Sequence, residues 1–203
     1  MKRLKPLIGI CGLANSGKDL LAEGIAATDV YAIHHLADPI KAAINAIFGF
    51  GPAHWEDRVW KEKEISFLKK KISPRYLAQT LGTEWGRSID RDLWLKLAKR
   101  KYEKITISAP MKQGRIMGMG MIIPDVRFEN EAAWIKSEGG LMLEVIRPGQ
   151  KEISESSHAS EQGINSVYID AVITNDGPPS KMIADARREL WASSGFSAVG
   201  SAS

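Results

Sequence analysis

Residues 12–19 read Gly-Leu-Ala-Asn-Ser-Gly-Lys-Asp, between an apolar run, Leu7–Cys11, and a helix-forming stretch, Leu20–Ala27. Few local patterns constrain a fold so tightly. The apolar run needs burial, which a sheet provides; glycines turn the chain sharply, and the helix then packs back on the sheet. Backbone N–H groups of the turn and the positive end of the helix dipole converge on one point, which makes that point a receptor for an anion. Gly12 and Gly17 expose those amides, and Lys18 can reach the outer phosphates of a nucleotide. Gly12, Asn15, Ser16, Gly17, Lys18 and Asp19 are therefore the candidate site for the phosphates of ATP. Asp19 stands where the commoner pattern has Ser or Thr, whose hydroxyl serves magnesium. The alternative is a glycine-rich turn carrying a lysine by chance; placement behind an apolar strand argues for the phosphate site.

Composition narrows the setting. The chain has 203 residues, 44% hydrophobic and 26% charged, the balance of a soluble globular protein with a substantial core. A net charge of +4 suits small polyanionic ligands and does not by itself point to nucleic acid. Cys11 is the only cysteine, so an intrachain disulfide is excluded, and its place in the first strand suits a small buried apolar residue. The basic start, Met1-Lys-Arg-Leu-Lys-Pro6, precedes an apolar run too short for a secretory signal. No segment is long enough to span a bilayer, so no membrane partner and a cytoplasmic location are expected.

Downstream, strand and helix signals alternate. Val30–His35 reads as a short strand, and a helix runs from Asp38 to about Phe48, with Asp38 as N-cap and Pro39 in its first turn. Residues 49–73 read as a mobile insertion: Gly49–Pro52 breaks the helix, and Trp55–Lys71 is polar, aromatic and lysine-rich, its lysines a solvated face rather than a binding site. Ser73-Pro74 restarts a helix to about Leu81, which Gly82 can stop, and another covers Asp90–Tyr102. Lys104–Ser108 and Ile116–Ile123 read as strands, the second ending at Pro124-Asp125. Helix Glu129–Glu138, strand Leu141–Ile146, a polar loop over 147–163, strand Ala171–Thr174, a turn and helix Ser180–Trp191 complete the pattern, with 193–203 as a flexible tail. The expectation is an α/β chain, one domain over 1–192, with a mainly parallel sheet flanked by helices and ligands at the carboxyl ends of its strands.

Seven further segments share a direction: Leu36-Ala-Asp-Pro-Ile-Lys41, Leu77-Ala-Gln-Thr-Leu-Gly-Thr-Glu84, Asp90-Arg-Asp-Leu-Trp94, Pro124-Asp-Val-Arg-Phe-Glu-Asn-Glu131, Val145-Ile-Arg-Pro-Gly-Gln-Lys151, His158-Ala-Ser-Glu161 and Val172-Ile-Thr-Asn-Asp-Gly177. In this order, over roughly Leu7 to Leu190, the chain resembles the deoxynucleoside monophosphate kinases encoded by tailed bacteriophages. The resemblance implies a P-loop kinase fold with a monophosphate-binding insertion and a lid loop. The implied reaction is transfer of a phosphoryl group from ATP, with Mg2+, to a deoxynucleoside monophosphate. It leaves room for a homodimer. Asp19 agrees with the family's loop; the departure is Leu20, where family members often carry Thr. Asp19 would then hold magnesium through water.

An acceptor that is already an ionised phosphate needs no strong base; the task is to bring two anions together and neutralise charge. Lys18 serves the donor phosphates. Arg127, just past a strand end, suits phosphate oxygens bidentately; its structural alternative is an i,i+4 pair with Glu131. Asp125 reads as a magnesium-orienting acid or as a helix N-cap. By resemblance, Lys41, Arg75, Gly82, Thr83, Trp94 and Glu131 line the monophosphate pocket, joined by Asp125 and Arg127. On their own, Lys41 and Arg75 read as surface charges and Trp94 as core. Arg87 and Arg91 divide evenly between substrate and solvent. Arg147 and Lys151 would meet ATP from a lid over 147–163. His158, Ser160 and Glu161 are too closely spaced for a triad and suit lid closure. Asn175 belongs to a turn that can reach adenine. Rival readings are a kinase of a coenzyme precursor, a nucleic-acid-dependent ATPase and a nucleotide sensor without catalysis. Gly82-Thr83 and Trp94 argue against the first. Val126 after Asp125, in place of a water-polarising Glu, argues against the second, and Leu20 keeps the third open.

Overall fold

β1, Leu7–Cys11, is buried along its whole length, and a strand apolar on both faces is stable only in a sheet covered on both sides. In the computed structural model, which describes residues 7–27, 31–107, 111–112, 115–116, 120–150 and 163–193, β1 lies at the centre of such a sheet. Its order is β2 (Tyr31–Ile33), β5 (Gly120–Ile123), β1, β6 (Leu141–Ile146), β7 (Ala171–Thr174), every neighbouring pair parallel. Between β2 and β5 in sequence, Met111–Lys112 (β3) and Arg115–Ile116 (β4) form a separate antiparallel ladder. Ile8 pairs with Ile122 on one side and Leu141 on the other.

Side chains alternate across a strand. Ile8, Ile10, Ile122, Leu143, Val145 and Ile173 gather on one face with Leu21 and Ile25 of α1 (Lys18–Ala26) and Met182 and Ala186 of α8 (Pro179–Ala192). The other face is covered by α7 (Glu129–Ser137), whose Ile135 packs against Gly9. The chain leaves β1 toward β2 on one side and later places β6 on the other. At such a reversal, sheets of this kind bind ligands beyond the carboxyl ends of the central strands.

Packing divides the chain into two compact units: one formed by residues up to His34 and from Lys101 onward, the other by His35–Arg100. The second is helical. It contains α2 (Asp38–Phe48), a tight helical turn (Pro52–Glu56), α3 (Arg58–Glu62), α4 (Pro74–Gln79), a wide π-type turn (Thr80–Trp85), α5 (Gly86–Ile89) and the start of α6 (Leu93–Ile107). Its core is Ile40, Ile44 and Trp55, flanked by Phe48, Phe50, Trp60, Leu77, Leu81 and Trp94. Trp60 meets Phe50 and Trp55 edge-on at centroid distances of 4.9 and 5.5 Å, an arrangement that suits ring quadrupoles.

Several expectations change here. Asp38 does not cap its helix: Ala37 is the N-cap, and the Asp38 carboxylate accepts the His35 N–H at 3.1 Å. Gly82 stops nothing. A glycine ends a helix by adopting the left-handed conformation; Gly82 keeps helical geometry, packed on Ile40, and the helical path continues to Ile89. Lys104–Ile107 is helix and not strand, because the buried series Leu95, Ala98, Tyr102 extends the helical period of α6. Ile116–Ile123 is not one strand: Ile116 belongs to β4 and Gly120–Ile123 to the sheet. The stretch 55–71 holds buried Trp55 and Ile65 and is not uniformly polar surface. Val30, Ser108, the interior of the expected lid with Lys151, His158, Ser160 and Glu161, and the tail beyond Ser193 lie outside the described residues. Among those described, no helix is long and apolar enough to cross a membrane.

Cys11 is buried at the end of β1, paired in register with Glu144. Burial, with the Glu144 carboxylate adding to it, pushes its thiol up to about 12. The native protein is therefore expected to resist a thiol reagent at pH 8 and to react fully once unfolded, as counted by absorbance of the released aromatic thiolate. Rapid native labelling would contradict the burial.

Candidate active site

β1 ends at Cys11 and the chain turns at once. Gly12, Asn15 and Gly17 take φ values of 131°, 66° and 108°, in the left-handed region that glycine enters without penalty and Asn tolerates. Space excludes larger residues too. A Cβ at Gly12 would lie 2.3 Å from the Val145 carbonyl oxygen, and one at Gly17 2.6 Å from Asn175 Nδ2. The Ser16 N–H donates to the Leu13 carbonyl at 3.2 Å, and the Leu21 N–H to Gly17 at 2.9 Å begins α1.

The loop's carbonyls are occupied by three side chains. Lys18 Nζ donates to the oxygens of Gly12 and Leu13 at 2.8 and 2.6 Å. Gln150 Nε2 donates to Ala14, and Asn175 Nδ2 to Ser16 at 2.7 Å. In a planar trans peptide N–H and C=O point in opposite directions, so carbonyls held this way turn neighbouring amides toward the open side, the arrangement of an anion nest. The Ser16 hydroxyl, fully buried, has no hydrogen-bond partner among the described residues.

Beside the loop stands the segment after β5. The Val126 N–H donates to the Ile10 carbonyl at 3.2 Å, which draws Pro124–Arg127 along the carboxyl end of β1. Asp125 is not an N-cap, since α7 starts at Glu129 behind Phe128. Buried Glu131 supplies the acidic half of a capping box: its Oε2 accepts the N–H groups of Arg127 and Phe128 at 2.8 and 3.1 Å. The carboxylate thus fixes the Arg127 backbone, while the exposed Arg127 guanidinium forms no ion pair among the described residues.

Burial holds the Lys18 ammonium below its ordinary value. Asp19 raises it, Arg127 lowers it further, and Asp125 raises it. Lys18, Asp19, Arg127 and Asp125 therefore share one electrostatic neighbourhood in which a cation lacks full compensation, and bound phosphates would supply the missing charge. Among the described residues no group of three His, Cys, Asp or Glu side chains could hold a metal ion. Magnesium carried by a nucleotide needs only one or two carboxylates, because phosphates and water fill its remaining positions; Asp19 and Asp125 fit that requirement. Leu20, 42% exposed on the first turn of α1, offers no polar atom there. Arg147 is exposed after β6, and among the described residues of its loop Gln150 reaches the P-loop. Gln150 was hidden in the sequence because a side-chain amide has no spacing signature, whereas the charges of Arg147 and Lys151 draw attention.

In the second unit, Lys41 is half-buried on α2 and Arg75 exposed on α4, its Nε donating to Glu62. Gly82 is buried and Thr83 exposed in the π-type turn. Trp94 Nε1 donates to the Gly82 carbonyl at 2.7 Å, and its ring lies so close to Gly86 that a Cβ there would be 2.4 Å from Cζ2. Trp94 and Gly82-Thr83 thus form one hydrogen-bonded piece. Arg87 is half-buried on α5, and Arg91 is exposed ahead of α6.

Comparison with known proteins bears on this geometry. Residues 55–184 match the family described as deoxynucleotide monophosphate kinase, a stretch that begins after the P-loop. The deoxynucleotide monophosphate kinase of Enterobacteria phage T4 is 30% identical over 128 residues, covering 62% of this chain and 48% of that protein. The deoxynucleoside-5'-monophosphate kinase of Escherichia phage T5 is 29% identical over 121 residues, 57% of this chain and 44% of that one. The chain spans about half the length of these phage relatives. Among solved structures, TT1252 from Thermus thermophilus superposes with a TM-score of 0.50 at 15% identity, covering 94% of this chain and 98% of that one, a similarity of fold. Loop, sheet and matched stretch together place the protein: it belongs to the deoxynucleotide monophosphate kinase family.

Proposed function

We propose that this chain transfers the γ-phosphoryl group of ATP to a deoxynucleoside monophosphate, releasing ADP and the diphosphate. The single observation that carries the reading is the P-loop, its carbonyls held by Lys18, Gln150 and Asn175 beside Asp125 and Arg127, in a chain of this family.

An oxygen of the acceptor phosphate attacks the γ-phosphorus, the bond to the β–γ bridging oxygen breaks, and the electron pair leaves with ADP. No proton need be removed from an ionised acceptor. Catalysis then rests on positioning and charge. The loop amides of Asn15, Gly17, Lys18 and Asp19 bind the β- and γ-phosphates, the Ser16 N–H being held by the Leu13 carbonyl, and Lys18 leaves its carbonyl partners to follow the charge moving onto ADP. Arg127, its backbone fixed by Glu131, spans oxygens of the transferred group. Asp19 and Asp125 would hold magnesium through water, and the ion when bound neutralises phosphate charge. Lys41, Arg75, Gly82, Thr83 and Trp94 bind the monophosphate, with Trp94 holding the Gly82-Thr83 turn in shape. Asn175 serves ATP by holding the loop; Arg147 meets the nucleotide from the segment after β6. The host-cell cytoplasm, where the nucleotides are, is the setting this reaction implies.

A coupled assay should detect ADP formation from ATP only when a deoxynucleoside monophosphate is added; turnover stimulated by DNA and indifferent to monophosphates would sink the reading. Lys18→Ala is expected to abolish transfer with the far-ultraviolet dichroism unchanged, and retained activity would remove Lys18 from its role. Arg127→Ala should lower kcat by roughly a hundredfold or more, in keeping with an arginine acting on a transferring phosphoryl group. A loss below about threefold would leave Arg127 a surface residue.

A further inference from the structure

Cations gather in the second unit around Lys61, one of the lysines that the sequence reads as a solvated face. α3 is set by Asp57, whose Oδ1 accepts the N–H groups of Val59 and Trp60 at 2.8 and 3.1 Å, and by Trp60, which packs on Phe50 and Trp55. Those anchors leave the next residue, Lys61, half-buried. α3 packs against α4, and α4 against α2, so Lys61, Arg75 and Lys41 come from three helices of one small cluster. The neighbouring carboxylate, Glu62, is taken by Arg75. Among the described residues neither Lys61 nor Lys41 has an ion-pair partner.

Burial, then the charges of Arg75 and Lys41, hold the Lys61 ammonium below its ordinary value; Glu56 opposes them and Arg58 adds to them. Like charges held together around a half-buried ammonium oppose folding. The same arrangement gains strongly from an anion of more than one charge, because each cation then donates a charge-assisted hydrogen bond. Lys41 and Arg75 are the two residues already assigned to the monophosphate.

We propose that Lys61 is a third cation of the acceptor subsite, binding the phosphate dianion of the monophosphate together with Lys41 and Arg75. The proposal rests on the kinase reading. It makes the subsite selective for a terminal phosphate over a neutral nucleoside, and it gives the 49–73 insertion a chemical task.

Steady-state kinetics on the intact chain and on Lys61→Gln and Lys61→Arg, with melting temperatures for each, provide the test. Lys61→Gln is expected to raise KM for the deoxynucleoside monophosphate about tenfold or more, to leave KM for ATP within about twofold of the parent, and to melt at the parent temperature or above it, since a crowded charge has gone. Lys61→Arg should recover most of the lost affinity. Acceptor KM within about twofold of the parent in Lys61→Gln would overturn the proposal and leave the kinase reading intact. So would a lowered melting temperature with both KM values raised, the mark of a residue that only supports the fold. A parent chain that turns over no monophosphate would overturn the kinase reading, and with it the dianion assigned to Lys61.

Discussion

A backbone loop binds an anion only if its carbonyls are satisfied elsewhere, and much of the first unit serves that requirement. The P-loop's own side chains settle only part of which way its peptides face. Lys18 holds the first two carbonyls, Gln150 the third, and Asn175 the one before the helix. The segment after β6 supplies Gln150 and the residue after β7 supplies Asn175, so the two parallel strands on that side of β1 are needed for the loop to have its shape. The Val145 carbonyl, also from β6, leaves room only for glycine at position 12. Sheet order and loop geometry are one constraint.

Much of this was legible in the sequence. The glycine–lysine loop, the helix behind it and the strand Leu141–Ile146 follow from periodicity and turn chemistry that act locally. What escaped depends on distant packing. Gly82 reads as a stop because glycine is free to leave a helix, yet Ile40 packs against it and the helical path goes on. Asp38 has the chemistry of a cap but bonds back to His35. Lys104–Ile107 has strand-like composition, and the longer period of α6 outweighs it. In the site, charged residues announced themselves, while Gln150 and Asn175, which hold backbone, left only a weak trace.

Each unit holds a lysine whose surroundings disfavour its charge: Lys18 in the first, chiefly through burial, and Lys61 in the second, half-buried beside Arg75 and Lys41. A fold selected for stability alone would pair such groups or leave them in bulk solvent. In the proposed reaction, phosphoryl transfer between two anions, the reactants would bring negative charge to both places. In the free protein that charge is absent, and the cations rest on carbonyl oxygens or beside one another. Ligand binding then relieves an existing cost, which favours affinity without demanding new contacts.

The bond from Asn175 to the Ser16 carbonyl joins positions 159 residues apart in the chain. During synthesis the loop leaves the ribosome early, but the amide that completes its shape belongs to the turn after the last strand of the sheet. A nascent chain lacking that strand carries the glycine–lysine pattern without a finished nest. Cells are rich in ATP, and a half-made protein that captured it would stabilise incomplete structures. On the proposed reading, nucleotide binding would wait on completion of the sheet, so that the ligand would stabilise the finished fold and not its precursors.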